Sequence, residues 1–120
     1  MSINTGLIDT TEFDNDGAVV RVTAHKIHEH ESTRLIEEFK AFLTSSGKSR
    51  IVMDYTEVEF VSSAGLGAMI TTSRVAVEGG GKVVLTGIND NVLQVMKLTK
   101  LDRLLKIEKT LAKAQKVVLK

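Results

Sequence analysis

The chain contains no cysteine. A disulfide scaffold, a cysteine zinc site and a thiol nucleophile are therefore excluded. Proline is also absent, which removes any X-Pro bond that could act as a slow isomerisation switch. Aromatic residues amount to 4% of the chain, and no aromatic-rich basic stretch is available to stack the bases of a single strand. A net charge of +1 gives no overall field for a polyanion. No apolar run approaches the roughly 18 residues needed to cross a bilayer, and no basic-then-apolar stretch resembles a signal peptide. These absences lead to the expectation of a cytoplasmic protein with no nucleic-acid partner and no membrane insertion.

What is present is an ordinary globular composition of 120 residues, 42% apolar and 26% charged. That length suits a single domain over residues 1–120, large enough to bury a core without staples. Leu7 to Phe13 reads as a strand, Asp14-Asn15-Asp16-Gly17 as a turn, and Ala18 to Thr23 as a second strand. Together they predict an antiparallel hairpin. Ala24 to Glu31 reads as a polar connection, with Ser32 capping a helix whose inner stripe is Leu35, Ile36, Phe39, Phe42 and Leu43. Ser45-Ser46-Gly47 ends that helix. Arg50 to Asp54 is a short buried strand, and Tyr55 to Val61 a connection.

A second helix is expected from Ser63 or Ala64, facing inward through Leu66, Met69, Ile70, Ser73 and Val77. Gly79-Gly80-Gly81 stops it before a strand over Lys82 to Thr86. Asn89 or Asp90 caps a third helix carrying Val92, Val95 and Met96. A short strand around Leu104 to Ile107 precedes a helix from Thr110 to Val118. Strands alternating with helices specify an α/β layer fold. The opening hairpin makes its sheet mixed, and each helix has one apolar stripe.

The segment Phe60-Val61-Ser62-Ser63-Ala64-Gly65-Leu66-Gly67 carries the chemistry candidate. Two serines stand where a buried strand gives way to a helix start made of small residues, so an outside backbone can approach closely. A phosphate there would meet unpaired N–H groups and the positive end of the helix dipole. A partner docked on the same surface would meet a new, strongly hydrated charge. The plain alternative is that Ser62 is only an N-cap and Ser63 an exposed first-turn residue.

The chain resembles the STAS domain family, and within it the single-domain anti-sigma factor antagonists. The resemblance centres on Ile51-Val52-Met53-Asp54 followed by Val58-Glu59-Phe60-Val61-Ser62-Ser63-Ala64-Gly65-Leu66-Gly67. It continues through Gly79 to Gly87 and closes over Val92 to Asp102. It implies a STAS-like mixed sheet of four to five strands with amphipathic helices packed mainly on one face. It implies a non-enzymatic, phosphorylation-controlled switch without a cofactor. Unphosphorylated antagonist holds an anti-sigma factor that is also a serine kinase, phosphorylation releases it, and a serine phosphatase resets the system. Carried over by position, the acceptor is Ser63, with Ser62 the second choice. The partner surface is Ser62, Ser63, Ala64, Gly65, Leu66 and Gly67, with His28. Ser62 replaces a family aspartate, His28 stands where the family tends to carry another, and Lys100 and Asn91 replace a usual glycine and proline. The alternative within the family is an accessory subunit of a signalling assembly or lipid-transport complex that is not phosphorylated. A small-ligand or nucleotide sensor is a third class.

Other constellations are weaker. Asp54 at a strand end suggests a receiver-type phosphoacceptor, but that chemistry needs an acidic pair near the first strand to hold magnesium. Ordering of the following loop by local hydrogen bonds is the simpler role. His25, His28 and His30 could seed a metal site only with further ligands such as Glu29 or Glu31; a solvated loop is the simpler reading. A hydrolase serine would need a histidine base in reach, and the Gly-x-Ser-x-Gly elbow is absent. Gly79-Gly80-Gly81 lacks the Gly-Lys-Ser/Thr of a phosphate loop.

Overall fold

In the computed structural model, which describes residues 6–120, the turn over Asp14–Asp16 closes an antiparallel hairpin. Its strands are β1 (Ile8–Phe13) and β2 (Gly17–Val22). Asp14 takes a left-handed φ of 57°, which aspartate tolerates better than most residues. The carbonyl of Asp16 accepts from Arg50 N–H at 2.9 Å, so the hairpin turn also seats the strand that follows in space.

A two-residue strand β3 (Lys26–Ile27) and helix α1 (Glu29–Ser46) lead to β4 (Arg50–Asp54), then β5 (Phe60–Val61) and α2 (Ser63–Glu78). Next come β6 (Lys82–Thr86), α3 (Asp90–Leu98), a 3-10 turn at Leu101–Arg103, β7 (Ile107–Glu108) and α4 (Leu111–Val118). The main sheet has the order β1-β2-β4-β6-β7, antiparallel only at the hairpin. Strands β4 and β6 lie in its middle and are buried on both faces. That explains why Ile51-Val52-Met53 and Val83-Val84-Leu85 are apolar without alternation. Ile51, Met53 and Leu85 pack with Leu35, Phe39, Met69 and Met96 of α1, α2 and α3. Val52 and Val84 meet Ala114 and Val118 of α4 on the opposite face. Three helices therefore cover one side and a short fourth covers the other.

The structure departs from the sequence reading at four places, one of them the last strand, which lies at Ile107–Glu108 and not over Leu104–Ile107. Helix α1 begins one turn earlier than a Ser32 cap implies. His28 is the N-cap residue, and the Glu31 carboxylate reaches back to accept from His28 N–H at 2.9 Å. Ser32 is buried inside the helix, its hydroxyl donating to His28 O at 2.7 Å. The segments read as connections, Ala24–Glu31 and Tyr55–Val61, supply β3 and β5, which pair in parallel as a second small sheet. Two-residue strands leave no periodicity to read.

The third departure is in α2, whose buried side is Gly65, Ala68, Met69, Thr72 and Ala76. Met69 faces inward as expected, but Val77 is 58% exposed and Leu66, Ile70 and Ser73 sit at the flank. Small residues face inward because α2 packs against both α1 and the sheet, and close helix approach leaves room for little else. Ala68→Leu is expected to lose about 1–3 kcal/mol by overpacking. Val77→Ser should stay within about 0.5 kcal/mol. Urea unfolding of the two variants checks this; the stripe read from sequence alone demands the opposite ranking.

Tyr55, the only tyrosine, is buried beneath this layer. Burial pushes its phenol far above the ordinary value, with the neighbouring Thr72 hydroxyl offsetting part of the effect. The folded state thus holds the proton more tightly than the unfolded state. Its contribution is fully present below the unfolded pKa of about 10 and is lost as pH rises above it. Ultraviolet titration should give no tyrosinate until the chain unfolds at high pH. A normal titration of the folded protein would contradict this burial.

Candidate functional site

The parallel pair of β3 and β5 brings Lys26 opposite Phe60 and Ile27 opposite Val61. Each strand leads directly into a helix, so the N-termini of α1 and α2 stand side by side. Ser62 N–H donates to Ile27 O at 2.9 Å and fastens the second helix start to the first. Helix α3 is fastened to the same place. The Asn89 side chain caps α3 by accepting from Val92 N–H at 2.8 Å. Its amide donates to Val58 O at 3.2 Å and Glu59 O at 3.1 Å. Of the two caps the sequence allows, Asn89 is the one used, and its bridge to the loop before β5 was not legible from a cap signal.

The two serines differ in what they do. Ser62 is half-buried, and its hydroxyl accepts from Gly65 N–H at 3.3 Å as the N-cap of α2. Ser63 is the first residue of the helix and is exposed, and its hydroxyl makes no hydrogen bond among the described residues. Gly65 is buried. A Cβ there would stand 2.8 Å from Ile27 O and press into the Val61 side chain, so only glycine lets α2 sit this low on β3. Gly67 is exposed, with nothing within 4 Å of the place a Cβ would occupy. It leaves the surface flat. Gly65 serves the fit inside the molecule, whereas Ala64, Leu66 and Gly67 continue the helix beside Ser63.

An apolar collar adjoins Ser63. Phe60 is 46% exposed, Val95 is exposed and Leu66 is half-buried. With Glu59 and Asn91 they line a hollow of about 240 Å³ between the start of α2 and the outer side of α3. The His28 ring lies against Phe60, centroids 5.2 Å apart and tilted by 41°. His25 Nδ1 is 2.9 Å from Glu59 Oε2. The hydrogen bond and charge of His25 hold the Glu59 carboxyl below its ordinary range, and the hydrogen bond from His28 N–H does the same for Glu31.

The histidines are thus divided among separate tasks. Among the described residues no group of three His, Asp or Glu side chains could hold a metal ion. Asp54 is buried, and Thr56 N–H donates to its Oδ1 at 2.9 Å. The Thr56 hydroxyl donates to the same oxygen, so Asp54 organises the loop toward β5. No described helix is long and apolar enough to cross a membrane.

A family model described as the STAS domain matches residues 8–114. A Thermotoga maritima protein named "Putative anti-sigma factor antagonist" is 32% identical over 80 residues, 67% of this chain and 70% of that protein. A crystal structure with the same description, of protein tm1081 from that organism, matches with a TM-score of 0.73 and 26% identity. The match covers 94% of this chain and 95% of the other. Moorella thermoacetica RsbS shares the fold with a TM-score of 0.76 at 24% identity, covering 93% and 94% of the two chains.

The contrast between the two glycines is testable. Gly65→Ala is expected to cost about 1–3 kcal/mol through the clash with β3. Gly67→Ala should gain up to about 1 kcal/mol from helix propensity. Thermal melts of both variants decide the matter, and equal shifts would mean that α2 is not seated on Ile27.

Proposed function

Because the chain belongs to the STAS domain family, we propose that it acts as an anti-sigma factor antagonist whose hold on its partner is controlled by phosphorylation of Ser63. The partner on this reading is an anti-sigma factor that is also a serine kinase, and a serine phosphatase resets the switch. The chain itself catalyses nothing and works in the cytoplasm. The observation that carries the reading is the exposed Ser63 hydroxyl, without a hydrogen bond among the described residues and one helical turn from Leu66 of the apolar collar. Ser62 supports the choice because its hydroxyl is already engaged as a cap.

The chemistry is a phosphoryl transfer performed by the kinase. A bond forms between Ser63 Oγ and the γ-phosphorus of ATP, the bond to the bridging oxygen breaks, and ADP leaves. The hydroxyl proton passes to a base of the kinase. The product adds about 1.5–2 negative charges at the start of α2. The helix end tolerates that charge, since the dipole favours an anion there by about 0.3–1 kcal/mol. A partner resting on Phe60, Leu66 and Val95 would instead have to desolvate it. A penalty of about 2.8 kcal/mol weakens binding roughly a hundredfold, and a buried dianion without a partner costs more than that. The fold therefore survives a modification that the complex does not.

Incubation with the cognate kinase and ATP tests the assignment. Wild type and Ser62→Ala are expected to be labelled and Ser63→Ala is not. Ser62→Ala should also lose roughly 1 kcal/mol of stability with its cap. Equal labelling of wild type and Ser63→Ala would move the acceptor elsewhere. A tight complex indifferent to ATP would favour an accessory subunit instead.

A further inference from the structure

Charge is distributed unevenly along this chain. Residues 97–120 contain eight of its sixteen basic residues and two of its fifteen acidic ones, Asp102 and Glu108. The net charge of +1 hides this asymmetry. The same segment carries Leu98 at 76% and Leu104 at 72% exposure, the two most exposed large apolar residues among those described. Leu101 and Leu105 of the same turn are buried. The turn is thus anchored from inside while Leu98 and Leu104 project outward. Between and beside them stand Lys97, Lys100 and Arg103, exposed and without an ion pair among the described residues.

We infer that the segment Lys97–Lys106 is a peripheral docking surface for an anionic lipid bilayer, with Leu98 and Leu104 entering the headgroup region and the cations meeting lipid phosphates. The composition selects this occupant. The segment Lys97–Lys106 contains three lysines, one arginine, the single acid Asp102 and no aromatic residue. Protein interfaces are depleted in lysine and draw their strength from tryptophan, tyrosine and arginine. Single-stranded nucleic acids need aromatic platforms. Exposed aliphatic side chains set among lysines suit a lipid surface, where each cation contributes about fivefold in affinity within a Debye length.

The position agrees with this role. Helix α3 starts from Asn89, beyond the C-terminal end of β6, and runs back along the sheet toward Leu98. The C-terminal end of α4 lies at the opposite end of the sheet from Ser63, since Lys82 Nζ at the start of β6 donates to Val117 O at 3.1 Å. Leu98 lies one helical turn beyond Val95 of the collar, so the lipid-facing surface borders the Ser63 surface; the inference itself rests on Leu98, Leu104 and the neighbouring cations and not on the proposed phosphorylation.

Flotation of the full chain with phosphatidylglycerol vesicles tests it, with phosphatidylcholine vesicles, poly-glutamate and a single-stranded oligonucleotide as comparisons. Binding to phosphatidylglycerol is expected to exceed binding to phosphatidylcholine and to fall about tenfold or more at high salt. Leu98→Ser/Leu104→Ser and Lys97→Glu/Lys100→Glu are each expected to weaken it with unchanged circular dichroism, as all four side chains are exposed. Equal binding to both vesicle types, unchanged binding by either variant, or preference for poly-glutamate or the oligonucleotide would overturn the inference.

Discussion

The arrangement of the Ser63 surface depends on one short contact, the seating of α2 on β3. Ile27 contributes its carbonyl to Ser62 N–H, and Gly65 contributes the absence of a side chain. Without the hydrogen bond a buried carbonyl would lack a partner; without the glycine the helix could not come close enough to make it. From that seat follow the side-by-side helix starts, the outward direction of Ser63 and the position of Phe60 against His28. Asn89 adds α3 to the same junction through the loop residues Val58 and Glu59, so three helix N-termini gather around two strands of two residues each. Such strands contribute little cohesion of their own. They persist because Val61 and Ile27 are buried among core side chains of the main domain layer.

Much of this architecture was legible because it is periodic. The hairpin, the apolar triplets of β4 and β6 and the stripe of α1 repeat with the spacings of strand and helix over several residues, and all appear where the pattern puts them. The last strand is displaced from the expected Leu104–Ile107 to Ile107–Glu108, because the 3-10 turn at Leu101–Arg103 and the turn after it take up the preceding residues. What escaped the pattern is what has no period. Strands β3 and β5 are too short to alternate. The His28 cap lacks the hydroxyl or carboxylate that marks an N-terminus, and the reaching carboxylate of Glu31 was the only signal. In α2 the largest apolar residues suggested the wrong inner side, because the space between two helices and a sheet selects for smallness instead. Ala68, Thr72 and Ala76 at four-residue spacing carried that information, but hydrophobicity alone ranks them below Val77.

The two serines are legible in a different way. Ser62 and Ser63 are chemically alike in sequence, and a hydrophobic pattern cannot distinguish them. One position decides their roles. The residue before the first helical turn turns its side chain back onto free N–H groups, whereas the next residue points into solvent. Ser62 occupies the first position and Ser63 the second. The residue at position 62 must be a hydrogen-bond acceptor for α2 to start cleanly, and serine meets that need without a charge. An aspartate would cap as well and would also set a carboxylate next to any phosphate on Ser63. With the neutral cap, the local field at Ser63 comes from the helix dipole, with Glu59 lowered by His25 and Glu31 engaged by His28 N–H as the neighbouring carboxylates. Both acids are held in the ionised form by donors of this chain. What favours an added negative charge at this helix start is therefore the free N–H groups and dipole of α2, whose first turn contains no acidic residue.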